Sequence, residues 1–207
     1  MPAGSIKRTN ARKEEIINAC EKLYRTMSFK EITIKEIGNE TSFSRTSIYN
    51  YYETKEEIFL ALLKREYDMW VLNLEEIIEK NNKMNNEQIA KAIAHSLDER
   101  KQLLKILSMN HYDLEENSRM ELLIEFKVSY GNALKTMTKL LEKFRPDIDD
   151  RKCKQFIYAF FPFMFGIYPY TVVTEKQKEA MKAAKIDYVY SSVYDLTYVE
   201  VKKLLES

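Results

Sequence analysis

Apolar residues recur at three-and-four spacing along almost the whole chain, and this rhythm constrains its fold more than any other feature. Between Lys13 and Met27 they fall at Ile16, Ile17, Ala19, Cys20, Leu23, Tyr24 and Met27, one face of an amphipathic helix. Four Gly and four Pro in 207 residues leave little to interrupt it. The spacing predicts helices over 12–27, 34–41, 45–52, 55–80, 86–95, 97–109, 118–144, 150–172, 175–184 and 188–205. Capping boxes, a hydroxyl residue with Glu or Gln three positions on, are expected at Thr33/Glu36, Thr54/Glu57, Ser96/Glu99, Ser118/Glu121 and Thr174/Gln177. Asn81, Asn82, Asn85 and Asn86 separate the fourth helix from the fifth, and Pro146 with Asp147, Asp149 and Asp150 separates the seventh from the eighth. Tyr188–Val201 is rich in Tyr and Val, which suits a strand. Its apolar positions also fit one helical face and no partner strand is visible, so helix is expected. The fold class is all-α, without internal repeats.

Composition removes several functions. Gly4, Gly38, Gly131 and Gly166 stand far apart, so there is no glycine-rich phosphate loop. Cys20 and Cys153 have no Cys or His close by; they form neither a disulfide framework nor a zinc knuckle and are read as reduced thiols of a cytoplasmic protein. Paired catalytic carboxylates, a nucleophile elbow and a Cys-His signature are all missing, so neither an enzyme nor a cofactor is expected. The N-terminus lacks the apolar core of a signal peptide. Gln155–Thr174 runs 20 residues without a charge, a spanning length. Pro162, Gly166, Pro169 and many aromatics favour burial inside protein over a membrane span.

The distinctive stretch is Thr33 to Lys55. A short helix capped by Thr33 buries Ile34 and Ile37, Thr41-Ser42-Phe43 makes a turn, and Ser44 caps a second short helix anchored by Ile48. Two short helices with so tight a turn form the geometry that sets one helix into the major groove of DNA. Arg45 to Tyr52 carries no carboxylate. It offers a guanidinium, hydroxyls, an amide and phenols, groups that donate to phosphates and base edges without repelling them.

Here the sequence resembles the N-terminal domain of the TetR family of bacterial transcriptional regulators. The matching residues are Ile16-Ile17, Ala19-Cys20, Leu23-Tyr24, Phe29, Thr33-Ile34, Ile37, Phe43 through Tyr52, and Lys55-Glu56-Glu57-Ile58-Phe59. Two departures stand out: Ser28 replaces the usual Gly after the first helix, and Thr41-Ser42-Phe43 replaces Ala-Gly-Val in the turn. The resemblance implies a homodimer with a three-helix DNA-binding head, residues 1–54, and a larger helical-bundle body, residues 55–207, for effector binding and dimerisation. The subunits would pair through helices at about 150–172 and 188–205. Carried over by position, the resemblance implies that Arg45, Thr46, Ser47 and Asn50 would face bases or nearby phosphates. It implies that Tyr49, Tyr51 and Lys55 would contact the DNA backbone, with Ser44 and Thr33 at helix starts as further candidates. Ile48 and Tyr52 belong to the core. Residues 1–52 hold nine Lys+Arg against six Asp+Glu, a modest net +3, with Lys7, Arg8 and Arg12 available as a basic arm.

The body shows aromatic enrichment but no functional signature. Eight aromatics lie between Phe156 and Tyr170, on all sides of one helix, which predicts enclosure by its own bundle, a partner subunit or a ligand. Pro162 and Pro169 are expected to kink it. Trp70, Met109, Asn110, His111, Tyr112, Phe126, Tyr130, Phe160, Met164 and Tyr168 are candidates for an apolar effector pocket, with Asn110, His111 and Tyr130 as polar orienting groups. His111-x-Asp113 followed by Glu115 and Glu116 is expected in a solvated loop, with no metal bound. The resulting reading is a repressor released from operator DNA by a small, largely apolar ligand. The alternative is a helical adaptor or ligand-binding protein without a DNA function.

Overall fold

The computed structural model describes the backbone of residues 3–206 and the side chains of 6–108 and 111–206. Every regular element among them is a helix: α1 Ala3–Tyr24, α2 Ile34–Asn39, α3 Arg45–Ile48, α4 Lys55–Lys80, α5 Asn86–Asp98, α6 Lys101–Glu116, α7 Met120–Phe144, α8 Asp150–Thr171, α9 Glu175–Ala183 and α10 Val193–Glu206. The expected limits of α4 are met at both ends, and α7, α8 and α9 lie within two residues of theirs.

Local chemistry sets several boundaries. Thr174 and Gln177 form the expected reciprocal cap of α9, and Asn85 with Gln88 forms one at α5. Asp149 caps α8 by accepting from Lys152 N–H at 2.8 Å. Ser192 and Asp195 exchange equivalent bonds at the start of α10. Lys185 adopts φ 56 just beyond α9, the left-handed conformation that closes many helix ends.

Several expectations are corrected. Ser96 does not cap a helix: it lies inside α5, where its hydroxyl donates to Ile93 O at 2.8 Å and accepts from Trp70 Nε1 at 3.0 Å. The break comes later, and α6 runs to Glu116. His111, Asp113, Glu115 and Glu116 are therefore helical and not part of a loop. The 188–192 stretch is neither helix nor strand, and α10 begins only at Val193. Ser44 makes no side-chain cap and pairs instead with the Ser47 hydroxyl at 3.0 Å. The α3 helix ends at Ile48, with a turn over 49–51.

The chain forms two compact units. The first comprises Met1–Arg65 and Asn110–Ser129. Its core gathers Ile16, Cys20, Tyr24, Ile32, Ile37, Ile48, Tyr52, Phe59, Leu62, Leu114 and Phe126. Phe59 meets the rings of Tyr24 and Phe29 at 5.0 and 4.8 Å. Arg65 ties α4 to α1 through Glu14, Asn18 and Glu21, each at 2.6 Å.

The second unit comprises Glu66–Met109 and Tyr130–Ser207. In it, α10 packs on α5 and α8. Trp70 and Phe161 approach to 5.7 Å, and Tyr130 meets Phe161 at 5.8 Å and Tyr67 at 5.6 Å. In α8, Phe156, Ile157, Phe160, Phe161, Met164 and Ile167 are buried, and the helix continues through Pro162 and Pro169. Its other side is open: Tyr158 is 77% and Tyr170 61% exposed. Within one chain this helix buries a single face, and of the three expected enclosures its own bundle leaves Tyr158 and Tyr170 uncovered. No single helix among the described residues is long and apolar enough to cross a membrane.

Candidate nucleic-acid interface

The first unit brings the candidates for DNA contact together on a short exposed segment. The helix α3 buries one side chain, Ile48, and Tyr52 follows it into the core. The alternation leaves Ser44, Arg45, Thr46, Tyr49 and Asn50 exposed, with Ser47 and Tyr51 half-buried. Arg45 Nη2 donates to Tyr49 OH at 3.4 Å. Nothing in this run carries negative charge, so an approaching phosphate meets hydroxyl, amide and guanidinium donors and no repelling carboxylate.

Three contacts hold the segment in place. Gly38 in α2 allows close approach: a Cβ there would stand 3.2 Å from both Cα and Cβ of Arg45. Ser42, which occupies the family's glycine position, has no positive φ, so the substitution brings no backbone strain. Its N–H donates to the Glu15 carboxylate of α1. That bond and one from the Ser42 side chain hold the Glu15 carboxyl below the usual range. Arg12 of α1 lies 5.0 Å from the ring centre of Phe43, bracing the same turn.

The flanking candidates are more committed. Thr33 is exposed at the start of α2, but its hydroxyl accepts from Glu36 N–H and bonds the Glu36 carboxylate. Lys55 is half-buried: its Nζ donates to Phe29 O at 2.8 Å and Ile32 O at 3.2 Å and lies 4.1 Å from the Phe29 ring centre. It therefore closes the loop before α2 at the same time as it starts α4.

The sequence offered no cue to one part of this unit. Glu57, expected to cap Thr54, is only 1% exposed. Glu57 N–H does bond Thr54 Oγ1 at 3.2 Å, but its carboxylate accepts from Glu53 N–H at 2.7 Å, Arg119 N–H at 3.1 Å, Arg119 Nε at 2.6 Å and Arg119 Nη2 at 2.9 Å. Burial pushes the Glu57 carboxyl up, but these donors outweigh it and hold it below the usual range. The charged form is the one the fold favours.

The fold and the segment together match known models. A model of bacterial regulatory proteins of the tetR family covers residues 16–62, and one of the tetracyclin repressor-like C-terminal domain covers 64–190. The chain belongs to the TetR family. It is a transcriptional regulator with a DNA-binding helix-turn-helix and a helical C-terminal body. Among solved structures, this TetR-family chain resembles the fatty acid degradation regulator FadR from Bacillus halodurans, with TM-score 0.59, 15% identity and 93% of this chain against 94% of that one. It also resembles FadR from Bacillus subtilis in complex with stearoyl-CoA, with TM-score 0.58, 14% identity and coverage of 93% and 97%. A third is the TetR family repressor AlkX from Dietzia sp. strain DQ12-45-1b, implicated in biodegradation of n-alkanes, with TM-score 0.52, 11% identity and coverage of 94% and 95%. No curated protein sequence matches the chain.

The pocket candidates of this TetR-family chain fall on both units. Trp70, Tyr130, Phe160, Met164 and Tyr168 belong to the second; Trp70, Phe160 and Met164 have no exposed surface, and Tyr168 is half-buried. Phe126, His111 and Tyr112 belong to the first. Phe126 is buried, and His111, Tyr112, Glu115 and Glu116 line an open groove of about 540 Å³. His111 Nε2 lies 3.2 Å from Glu115 Oε1. Burial and Lys127 lower the His111 pKa, against the pull of Glu115. The side chains of Met109 and Asn110 lie outside the described residues.

Proposed function

We propose that this regulator is a homodimeric repressor whose head, residues 1–54, reads a pseudo-palindromic operator and whose body, residues 55–207, responds to a largely apolar ligand. The observation that carries the DNA reading is the carboxylate-free exposed run Ser44–Asn50 folded over a buried Ile48. Arg45, Thr46, Ser47 and Asn50 read base edges or the phosphates beside them. Thr33, Ser44, Tyr49, Tyr51 and Lys55 serve the DNA backbone. Lys55 has one donor left after its two carbonyl bonds, since an ammonium carries three. Two recognition helices in the dimer stand about one DNA turn apart, roughly 34–36 Å.

The open face of α8, with Tyr158 and Tyr170, and Val199 of α10 supply apolar surface for pairing of α8 and α10 with a second copy. The ligand class rests on the aromatic cluster of Trp70, Tyr130, Phe160 and Phe161 and on the stearoyl-CoA and n-alkane associations of FadR and AlkX. A ligand enters this cluster by parting side chains, because Trp70, Phe160 and Met164 have no exposed surface. Ligand and DNA then oppose each other by linkage.

The test begins with selection of duplexes from a random pool by the full chain. Fluorescence anisotropy follows on a selected and a scrambled duplex at two salt concentrations, with and without stearoyl-CoA. The expected result is selective binding that weakens steeply with salt and is reversed by the acyl-CoA. No enrichment of any sequence overturns the DNA reading; enrichment without an acyl-CoA effect overturns the ligand class alone. Binding of a protein partner with little salt dependence is the result the adaptor reading expects.

A further inference from the structure

The family model of the C-terminal domain covers 64–190, yet Asn110–Ser129 is part of the compact unit that holds the helix-turn-helix. At the centre of this segment, the turn between α6 and α7 grips the chain just after the recognition helix. Arg119 Nη2 donates to Tyr51 O at 3.1 Å, Arg119 Nη1 lies 3.3 Å from the Glu53 carboxylate, and Thr54 Oγ1 donates to Asn117 O at 3.1 Å. The same guanidinium makes two bonds to the buried Glu57. Every residue from Tyr51 to Thr54 except Tyr52 is thus tied to the turn, and Tyr52 is locked in the core.

We propose that Arg119 is a positioning residue for DNA reading: it fixes the C-terminal end of the recognition segment by joining Tyr51 O and Glu57 in one guanidinium fork. The inference rests on the reading of the chain as a DNA-binding regulator. A helix of four residues has almost no rigidity of its own, since a single hydrogen-bonded turn is the costly nucleus of a helix and not a stable one. Its orientation is set by what holds its two ends. Gly38 and Ser42 hold the start; Arg119 holds the finish, and with it the Tyr49–Tyr51 turn that carries two phenols toward DNA.

Such a role has a signature that loss of folding does not. Unfolding a fraction of the protein lowers affinity for every duplex in step, whereas misplacing a recognition helix lowers selected-duplex affinity and spares phosphate-driven binding. The full chain, Arg119→Ala, Arg119→Lys and Glu57→Gln are compared on a duplex selected by the wild type and on a scrambled duplex, at several salt concentrations. Arg25→Ala, an exposed pair with Glu21, is the control. Arg119→Ala is expected to lower the selected-to-scrambled affinity ratio by at least tenfold with an unchanged salt slope, and the control to leave it unchanged. Arg119→Lys keeps the charge without the fork and recovers part of the ratio. Glu57→Gln keeps an acceptor and lowers the ratio by about threefold, which preserves the test should Arg119→Ala not fold. If the wild type discriminates but the variants lose both affinities in step, or neither, the positioning role is overturned and the DNA reading stands. A flattened salt slope in Arg119→Ala overturns it too, by making Arg119 a phosphate contact. A wild type that does not discriminate removes the DNA reading and this inference together.

Discussion

Gly38→Ala separates stability from DNA reading in a way the geometry makes quantitative. The added Cβ would stand 3.2 Å from Cα and Cβ of Arg45 and 3.6 Å from Ile48 Cδ1. Ordinary carbon contacts begin at about 3.5 Å, so the start of α3 must retreat by a few tenths of an ångström. Arg45 Cα is backbone and cannot rotate aside. Two stability terms oppose each other. Alanine in a helix interior is favoured over glycine by about 1 kcal/mol, while overpacking costs about 1–3 kcal/mol. The net is a loss of about 0–2 kcal/mol, well inside what a folded domain tolerates. DNA reading is affected more, because the element pushed is the one carrying Arg45, Thr46 and Ser47, with Asn50 in the turn that follows it. A well-placed base contact discriminates by about 1–3 kcal/mol, so selected-duplex affinity should fall about 10- to 100-fold, whereas scrambled-duplex affinity, set by charge, should stay within about threefold. Urea unfolding measures the first quantity and anisotropy on the two duplexes the second. Unchanged selective affinity at unchanged stability would falsify the assignment of α3 as the reading helix. A loss above about 4 kcal/mol would show instead that α2 and α3 cannot separate at all.

Trp70→Phe removes the indole N–H that donates to Ser96 and shrinks a fully buried ring; unfolding of the full chain should show a loss of about 1–3 kcal/mol, and no loss would mean the cluster is loosely packed. Tyr158→Asp puts a charge on the open face of α8; if α8 pairs with a second copy as proposed, sedimentation should show a dimer for the wild type and a shift toward monomer for the variant at equal helix content, and the same sedimentation for both would overturn that pairing. His111 titrates with a lowered pKa in the folded state, so folding favours its neutral form. Its contribution is present above the unfolded value of about 6.5 and lost as pH falls through the lower folded value. Wild-type stability should therefore decline more steeply than that of His111→Gln between pH 7.5 and 5, and parallel curves would contradict the burial of this ring. Glu57 has the same sign at lower pH: its lowered carboxyl contributes above about pH 4.3 and loses that contribution on acidification, so Glu57→Gln should flatten the acid limb of the unfolding midpoint.

Much of the fold is written in local pattern. The limits of α4, the Thr174/Gln177 cap, and the placing of Ile48 and Tyr52 in the core all follow from side chains three or four residues apart, because helix faces and caps are decided within a turn. The exposed run Ser44–Asn50 was readable for the same reason, since one buried Ile orients its neighbours. Misreadings came where a local signal met a distant competitor. Ser96 has the spacing of a cap, but Trp70, 26 residues away, claims its hydroxyl inside α5. Thr54/Glu57 looks like a capping box, but Arg119 holds the carboxylate from 62 positions away. No spacing rule marks such a pair: each partner alone is an ordinary surface charge, and only folding brings them to 2.6 Å and excludes water from the carboxylate. The sequence by itself determined that the chain is helical, the limits of α4, the Thr174/Gln177 cap and the carboxylate-free chemistry of Arg45–Tyr52. Tertiary structure decided which helices share a core, that the α6–α7 turn belongs with the recognition helix, and that Lys55 is bound to two carbonyls. These are matters of burial and long-range pairing, whose energies arise only when distant residues are packed together.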